Sequence, residues 1–325
     1  MTPSLRNCAA ALVAAFCCAG HVLAQTAFPA KPIKAIVPFP PGGGGDTLAR
    51  QTLARIAAEL GQPIAFENIA GAGGNLGSVA GARAEADGHT WLYATNGTLA
   101  INHALYKAPG FEPLRDFAPV GRLSQIGLIV VVKTDAPART MQELVAQVRA
   151  RPDRYSFGSA GNGTTGHLST EILKSRLGLA IVHIPYRGNA AALTDLIGGQ
   201  TDLMIEVMPA ALPHVRGGRL RALAVTTPAR STLLPELPTV AESVAPGYAT
   251  TAWDALVVPA ATPPAVIARI GAATRAALAD AALIQRLAGM GAEPTPSSAE
   301  ELAAFVRSEN ERWGQAVRQS GAKVD

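Results

Sequence analysis

Short apolar runs alternate along the chain with longer stretches in which apolar residues recur every three or four positions. The apolar runs predict strands at residues 33–38, 63–67, 90–95, 127–133, 155–158, 181–185, 202–205, 220–225 and 253–258. The stretches between them predict helices, such as residues 46–60, where Leu48, Leu53 and Ile56 fall on one stripe. Strands that alternate with helices are typical of an α/β fold with parallel sheets.

A strand, a glycine-rich turn and a helix open each half of the chain, which predicts two lobes, each a sheet flanked by helices. We expect the first lobe to comprise residues 25–125 and 255–325, and the second lobe residues 126–254. The chain would cross between them near residues 122–127 and 251–255. From residue 264 onward the pattern predicts helices only, packed back on the first lobe.

The two glycine-rich turns are the strongest candidate binding elements. The first carries Gly42, Gly43, Gly44 and Gly45, followed by Asp46, which is placed to cap the next helix. The second spans residues 159–167, more than 110 residues further on. A strand that leads through such a turn into a helix exposes backbone N–H groups beside the positive end of the helix dipole. The pair therefore predicts one small anion held between two lobes.

Two enzyme-like interpretations of the second turn have weaker support in the sequence than anion binding. Residues 161–166 match the G-x-G-x-x-G dinucleotide pattern, but no acidic residue ends the next strand to take a ribose hydroxyl. Ser159 could be a nucleophile with His167 or His183 as its base, although Phe157 stands where the G-x-S-x-G elbow requires glycine. A secreted serine hydrolase is thus the alternative from another functional class.

Two charged residues end strands at the edge where α/β sheets bind ligands. Arg187 either pairs with a ligand carboxylate or stays in solvent. Glu206 either lines the same crevice or is a surface glutamate. An acid opposite an anion site would suit an amino group on the ligand.

The N-terminal composition predicts an exported protein. Residues 1–24 combine one basic residue, Arg6, with a short apolar run and small residues before a cleavage site after Ala24, as in a signal peptide. The three cysteines, Cys8, Cys17 and Cys18, all lie in this segment, so the rest of the chain has no disulfide and no thiolate. Removing the segment lowers the net charge from +4 to +3. The basic residues are dispersed and the histidines are scattered, so we expect no nucleic-acid partner, metal or cofactor.

Several segments, taken in order, resemble the Bug-type periplasmic solute-binding proteins, the receptors of tripartite tricarboxylate transporters. They are residues 28–33 (FPAKPI), 37–43 (VPFPPGG), 67–77 (ENIAGAGGNLG), 86–90 (ADGHT), 155–163 (YSFGSAGNG), 183–188 (HIPYRG), 196–204 (LIGGQTDLM) and 220–226 (LRALAVT). The resemblance covers essentially the whole chain after the signal segment. It implies an α/β, two-lobed periplasmic binding protein of type II, a Venus flytrap that holds a small carboxylate between its lobes.

Carried over by position, the resemblance implies ligand contacts at Phe39, Gly42, Gly43, Gly44, Gly45, Asp46 and Thr98 in the first lobe. In the second lobe it implies Ser159, Ala160, Gly161, Asn162, Thr164, Thr165, His167, Tyr186, Arg187 and Gly188. The chain departs from the family after Met204, where an aromatic residue, Asp and a polar residue are usual and Ile205, Glu206 and Val207 stand here. The longer acid could shorten the pocket or change ligand choice.

The resemblance also implies what the protein works with. We expect a monomeric, periplasmic receptor, not an enzyme, that delivers a small carboxylate to membrane transporter subunits. The alternative within binding proteins is a receptor that presents its ligand to a sensor protein.

Overall fold

This computed structural model describes residues 28–152 and 154–324. The N-terminal and the C-terminal parts of the described chain both contribute strands to a six-stranded sheet. Its strands are β1 (Ile33–Val37), β2 (Ile64–Asn68), β3 (Thr90–Thr95), β4 (Phe117–Ile126), β10 (Ala252–Pro259) and β11 (Ala292–Pro294). They lie in the order β11-β4-β10-β3-β1-β2. Strand β1 pairs in parallel with β2 and β3, whereas β10 is antiparallel to β3 and β4.

The middle of the chain forms a five-stranded sheet. Its strands are β5 (Leu128–Lys133), β6 (Tyr155–Ser159), β7 (Ile181–Pro185), β8 (Leu203–Val207) and β9 (Leu220–Val225), in the order β7-β6-β8-β5-β9. Strand β6 is parallel to β7 and β8, and β5 is antiparallel to β8 and β9. Each sheet therefore collects the carboxyl ends of its parallel strands at one edge, the edge where open α/β sheets bind ligands.

Helices cover the sheets. They are α1 (Gly44–Glu59), α2 (Asn75–Ala82), α3 (Asn102–Leu105), α4 (Pro113–Asp116), α5 (Met141–Ala150), α6 (Thr165–Leu177), α7 (Asn189–Gly198), α8 (Met208–Arg216), α9 (Val240–Ser243), α10 (Pro264–Leu278), α11 (Ala281–Gly289) and α12 (Ala299–Ser320). A 3₁₀ turn at Ala72–Gly74 precedes α2, and a π-helical turn at Gly97–Ile101 precedes α3. None of the helices in the described ranges is long and apolar enough to cross a membrane.

Each sheet has its own hydrophobic core. The core of the six-stranded sheet includes Ile36, Leu92, Trp253 and Trp313, and that of the five-stranded sheet includes Ile129 and Met204 among other aliphatic residues. Leu168 of α6 also packs into the first of these cores. Two sheets, each with its own core cluster, give the two-lobed α/β fold that the sequence predicts. We call the part built on the six-stranded sheet the first lobe and the part built on the five-stranded sheet the second lobe.

The chain passes directly from the first sheet to the second through Gly127. The Gly127 amide donates to the carbonyl of Gly291 (3.1 Å), and its carbonyl accepts from the amide of Met208 (2.9 Å). The return path, residues 226–251, begins and ends close together, because the Thr250 amide donates to the carbonyl of Thr226 (2.9 Å). The two crossings therefore lie beside each other, as a hinge requires.

The elements differ from the sequence prediction in three respects. Strand β4 is ten residues long, although the sequence predicts only a crossing near residues 122–127. The C-terminal part is not helical throughout, because β11 adds to the edge of β4. Helix α12 packs on the π-helical turn and β4 of the first lobe but also on α6 of the second lobe, where Ser175 Oγ donates to the carbonyl of Gln319 (3.3 Å). The predicted signal segment, its cleavage site and the three cysteines lie outside the described residues.

Candidate functional site

The carboxyl ends of the parallel strands in both sheets face one cleft between the lobes. Phe39 follows β1 and Asn96 follows β3 in the first lobe, while Ala160 follows β6 and Tyr186 follows β7 in the second. All four residues line cavities in this cleft. The two parallel sheets therefore present their ligand-binding edges to each other.

Direct hydrogen bonds join the lobes across the cleft. Thr165 Oγ1 at the start of α6 donates to Oδ1 of Asn96 (2.8 Å), and both side chains are buried. The Tyr106 hydroxyl donates to the carbonyl of Asn162 (3.0 Å) in the second glycine turn. These bonds require the two lobes to lie in contact, so the structure is a closed form.

Glycine permits the closest approach between the lobes. Gly73 has φ +62°, and a Cβ there would collide with the carbonyl oxygen of Asn162. At Gly188, a Cβ would lie 2.7 Å from Cγ of Pro40 in the first glycine turn. Any larger residue at these positions would hold the lobes apart.

The closed cleft contains two cavities that share a wall. The inner cavity, about 70 Å³, lies deep between the lobes and reaches the crossing strands at Ile126, Ala252 and Trp253. The outer cavity, about 580 Å³, lies between the 3₁₀ turn of the first lobe and the loops after β6 and β7 of the second. Both are lined by Phe39, Gly73, Ala160 and Thr164. A ligand that fills the inner cavity can therefore extend into the outer one.

Most of the predicted site residues line one of these cavities. Phe39, Gly45, Ala160, Thr164, Thr165 and Glu206 line the inner cavity. Phe39, Ala160, Gly161, Asn162, Thr164, Tyr186, Arg187 and Gly188 line the outer cavity. Arg187 is exposed and has no ion-pair partner among the described residues.

The remaining predicted residues, Gly42, Gly43, Gly44, Asp46, Thr98, Ser159 and His167, line neither cavity. Thr98 Oγ1 instead accepts from the amide of Thr95 (3.0 Å) and is buried. Gly42 is exposed, whereas Gly43 and Gly44 lie close to Asn189 and Val207 of the second lobe.

Asp46 holds the first glycine turn in place. Helix α1 begins at Gly44 with Gly43 as its N-cap, so the prediction that Asp46 caps the helix is wrong. Its buried carboxylate lies in the first turn and accepts from the amide of Gly42 (2.9 Å), from Arg50 Nε and from Asn68 Nδ2 (2.8 Å). Burial works against the charge, but the Arg50, Asn68 and Gly42 hydrogen bonds together lower the pKa of Asp46.

A stack of aromatic rings supports the second glycine turn. His183 packs against both Phe157 (4.6 Å between ring centroids) and His167 (4.1 Å), and Phe157 and His167 are 6.4 Å apart with nearly parallel rings. His167 Nδ1 accepts from the amide of Gly163 (3.2 Å), and His183 Nε2 lies 2.7 Å from Ser159 Oγ. Burial and then the neighbouring His183 and Lys174 lower the pKa of His167 to about 3, and burial and Lys174 lower that of His183 to about 4. Both imidazoles are therefore neutral at pH 7.

The Ser159–His183 contact does not form a hydrolase site. Ser159 is fully buried, and its Oγ also accepts from the amide of Gly161 (3.2 Å). None of the ion pairs and hydrogen bonds of the described chain joins a carboxylate to His183, which a triad would need to orient its base. The pair instead joins the last residue of β6 to β7.

Glu206 is the penultimate residue of β8, lines the inner cavity and is 3% exposed. Its Oε1 accepts from the amide of Val207 (2.7 Å). Burial raises the pKa of Glu206 to about 7, although hydrogen bonds from Asn189 and the Val207 amide oppose this shift. Among the described residues, no cationic side chain pairs with it.

Sequence reasoning missed two asparagines in the inner cavity. Asn96 follows β3 directly, and Asn189 begins α7 after Gly188. The Nδ2 group of Asn96 is buried and has no hydrogen-bond partner among the described residues. The rule that ligands bind beyond the carboxyl ends of parallel strands could have identified Asn96 from the sequence.

No group of three or more histidine, cysteine, aspartate or glutamate side chains that could hold a metal ion is present within residues 28–152 and 154–324.

Comparisons with known proteins agree with this architecture. The family model described as "Tripartite tricarboxylate transporter family receptor" matches residues 48–322. Protein BugT of Bordetella pertussis is 38% identical over 307 residues, which cover 94% of each chain.

Two solved structures, both of proteins from Rhodopseudomonas palustris, resemble the chain over nearly its whole length. The structure titled "R. palustris Rpa4515 with adipate" has a TM-score of 0.89 and 34% identity. The match covers 91% of this chain and 100% of the other chain. The structure titled "MatC (Rpa3494) from Rhodopseudomonas palustris with bound malate" has a TM-score of 0.85 and 32% identity, and covers 89% and 100%. These likenesses confirm the resemblance drawn from the sequence motifs. The chain belongs to the receptor family of the tripartite tricarboxylate transporters, which are periplasmic solute-binding proteins and not enzymes.

Proposed function

We propose that this protein captures a small carboxylate in the cleft between its lobes and delivers it to a tripartite tricarboxylate-type transporter. The observation that carries the proposal is the inner cavity, which is closed by both lobes and lined by the first residues of long helices from each of them. Gly45 of α1 comes from the first lobe, and Thr165 and Gly166 of α6 come from the second. Amides at a helix N-terminus favour a negative charge.

The ligands bound by the two solved relatives support the same class, because the titles name adipate and malate, both carboxylates. The contacts we propose in this chain are the predicted residues that line the inner and outer cavities, joined by Asn96 and Asn189. Asp46, Ser159 and His167 would act indirectly, because they shape the two glycine turns.

We also propose a first lobe of residues 25–125 with 255–325 and a second lobe of residues 126–254. The places where the chain leaves the six-stranded sheet, after Ile126, and rejoins it, at Ala252, lie within three residues of these bounds and support the division. Residues 1–24 would be a signal peptide cleaved after Ala24, and the exported protein would be a monomer. N-terminal sequencing of the periplasmic protein checks the cleavage site, and light scattering coupled to gel filtration checks the mass.

The test of ligand capture is a thermal-shift screen against carboxylates, followed by calorimetry. A ligand that binds only the native state raises the melting temperature by mass action. At a free concentration one hundred times its Kd, such a ligand adds about 2.7 kcal/mol to the free energy of unfolding. We expect at least one carboxylate to do so, while amines and uncharged analogues of the same carbon skeleton do not. A screen in which no carboxylate stabilises the protein would refute the proposal.

Delivery is tested in the source bacterium by uptake of the labelled ligand with and without the gene. Loss of uptake in the deletion strain supports delivery to a transporter. Unchanged uptake combined with loss of a transcriptional response to the ligand would favour presentation to a sensor instead.

A further inference from the structure

A separate cavity lies outside the cleft, along the seam where α6 of the second lobe packs on α12 of the first. Its volume is about 290 Å³, and none of its lining residues lines the inner or the outer cavity. Its walls include Ser175 and Arg176 of α6, Gln315 of α12 and Tyr248 of the return path. Ser175 Oγ donates to the carbonyl of Gln319, so the two lobes touch within its wall. The shape of this seam cavity therefore depends on how the lobes are placed.

Arg176 gives the seam cavity a positive charge that no acid neutralises. Its side chain is exposed and has no ion-pair partner among the described residues. Its Cζ lies 6.0 Å from the ring centroid of Tyr248, and its Nη1 donates to the carbonyl of Pro246 over a long 3.5 Å. Arginine has further N–H donors in a planar fork that suits a carboxylate. Arg176 is therefore placed to receive an acidic group from outside the chain.

Two more exposed cations flank the seam. Arg149 of α5 donates to the last carbonyl of α6 (3.2 Å), and Arg318 lies near the end of α12. Neither makes an ion pair within the described ranges. Of the acids on α6 and on residues 309–320 of α12, Glu171 and Glu309 each have a basic partner, which leaves Glu311. The seam thus presents more positive than negative charge to a partner.

Buried contacts link the seam cavity to the inner cavity. Arg312 lines the seam cavity and pairs with Glu309, with 2.7 Å between Nε and Oε1. The same carboxylate accepts from the indole of Trp253, which lines the inner cavity. A partner seated in the seam touches both lobes, so it binds one arrangement of the lobes better than another. Because a ligand in the cleft acts on the same arrangement, each changes the affinity of the other by the same factor.

We propose that the membrane subunit of the transporter docks at the seam cavity, through an acidic segment whose carboxylate pairs with Arg176. Arg149 and Arg318 lie outside the cavity itself, so a small anion within it leaves them without a partner, whereas an acidic protein segment covers them as well. The seam belongs to both lobes, so docking there favours the closed, ligand-loaded receptor. This inference rests on the proposed function, because it names the surface that meets the transporter.

The test is uptake of a labelled carboxylate from the thermal-shift screen, in the deletion strain complemented with each variant. Arg176→Glu reverses the charge at the seam, and we expect uptake below saturation to fall about fivefold or more at equal periplasmic protein. Its affinity for the same carboxylate by calorimetry should stay within about twofold of wild type, because Arg176 lines neither cavity of the cleft. Arg286→Glu on α11 is the matched control and should keep wild-type uptake, since Arg286 is exposed, lies outside the seam cavity and has no ion pair in the described chain.

These measurements separate the inference from the proposed function. Full uptake with Arg176→Glu overturns the inference while the proposed function stands, and so does a loss of uptake matched by an equal loss of affinity. If the wild-type gene does not restore uptake, the proposed function fails. If Arg176→Glu does not fold by circular dichroism, Arg176→Gln should still lower uptake about twofold, and full uptake in that variant overturns the inference. A rise in melting temperature with inorganic phosphate that Arg176→Gln abolishes would make the seam a small-anion site, which also overturns it.

Cross-linking in the source bacterium locates the contact directly. All cysteines of the chain lie in residues 1–24, so after cleavage a single introduced cysteine is the only thiol. Gln315→Cys places it in the seam cavity, and Gln285→Cys, at an exposed position of α11, is the control. With a photoactivatable cross-linker, we expect Gln315→Cys alone to capture the membrane subunit, identified by mass spectrometry, and to do so more strongly when the carboxylate is present. Equal capture from both variants, or from neither, would place the docking surface elsewhere and overturn the inference.

Discussion

Single residues decide whether the two lobes can close, and Gly73 is the sharpest case. It has φ +62° and faces the carbonyl of Asn162 across the cleft, whereas Gly178 has almost the same backbone conformation (φ +61°) with no atom near its Cβ position. Replacing glycine by alanine at a left-handed backbone conformation costs about 1–2 kcal/mol in the free energy of unfolding. We therefore expect Gly73→Ala and Gly178→Ala to lose similar stability in chemical denaturation.

The two variants should differ in ligand binding. Gly73→Ala prevents full closure, so its affinity for a ligand found in the screen should fall at least tenfold by calorimetry. Gly178→Ala should bind as the wild type does. Equal affinities of the two variants would show that the contact between Gly73 and Asn162 does not limit closure.

Glu206 also affects the stability of the fold, and the direction of this effect with pH follows from its raised pKa. An acid with a pKa of about 7 in the folded protein and 4.5 as its ordinary value binds more protons in the native state between those pH values. Stability is therefore lost as the pH rises from about 4.5 to 7. Glu206→Gln removes this effect, so the variant should gain up to about 3 kcal/mol relative to wild type between pH 4.5 and pH 8.

Urea denaturation across this pH range measures the difference, without ligand. Glu236→Gln should follow the wild-type curve, because its exposed side chain has the same surroundings in water before and after unfolding. A constant difference between Glu206→Gln and wild type would mean that the carboxyl keeps its ordinary pKa in the cleft.

At the scale of elements, the ring stack beneath the second glycine turn makes the site sensitive to acid. His167 and His183 have pKa values lowered to about 3 and about 4, against an ordinary value of 6.5. The unfolded chain therefore binds more protons than the native state below pH 6.5. Stability contributed by these neutral rings is present above pH 6.5 and decreases as the pH falls toward 4.

His183→Gln tests this effect, since its amide can still pair with Ser159 Oγ but does not titrate in this range. We expect the variant to lose less stability than wild type between pH 7 and pH 4.5 in urea denaturation. A histidine titration followed by NMR should place the pKa values of the His167 and His183 imidazoles in the native protein below 5. Ordinary values near 6.5 would contradict the burial of the stack.

The crossing strand β10 is attached to helix α12 through one buried carboxylate. Glu309 accepts from the indole N–H groups of Trp253 (2.6 Å) and Trp313 (3.0 Å). Glu309→Ala leaves both buried donors without a partner, so we expect a loss of at least about 2 kcal/mol in the free energy of unfolding. Glu309→Gln keeps one acceptor oxygen and should lose less. Similar losses of unfolding free energy in the two variants would show that the hydrogen bonds to the two indoles do not account for the stability that Glu309 contributes.

The elements that sequence patterns identified are those with strong local signals. Strand β5 has a continuous apolar run, β9 has one interrupted only by Arg221, and α1 has a clear apolar stripe. Strand β4 was missed because Pro119 and Gly121 interrupt it, and pairing with β10 on one side and β11 on the other stabilises it. Long-range pairing of this kind cannot be read from local sequence.

The same distinction applies to the site. The glycine turns and the residues after β6 and β7 were predictable, because their local patterns are unusual. The contacts between lobes were not, since Asn96 and Thr165 are 69 positions apart and Tyr106 and Asn162 are 56 apart. Only the arrangement of the two sheets brings these residues together.

At the scale of the whole molecule, the closed cleft implies that the protein opens to admit its ligand. The inner cavity is lined by both lobes, and in the described chain the backbone passes between the two sheets at Gly127 and where the return path reaches β10 at Ala252, beside Ile126. Hinge motion about such crossings is the usual mechanism of closure. A ligand that touches both lobes binds the closed form better than the open form and shifts the population toward it.

Small-angle X-ray scattering tests this closure on the ligand-free and saturated protein. We expect the radius of gyration to fall on saturation, because the open form is the more extended one. Tyr106→Phe removes the hydrogen bond to Asn162 without changing the packing of the ring, which should favour the open form by about 1 kcal/mol and weaken binding about fivefold. If saturation leaves the radius of gyration unchanged, and Tyr106→Phe binds as wild type does, then the protein is closed before the ligand arrives and the ligand enters by another route.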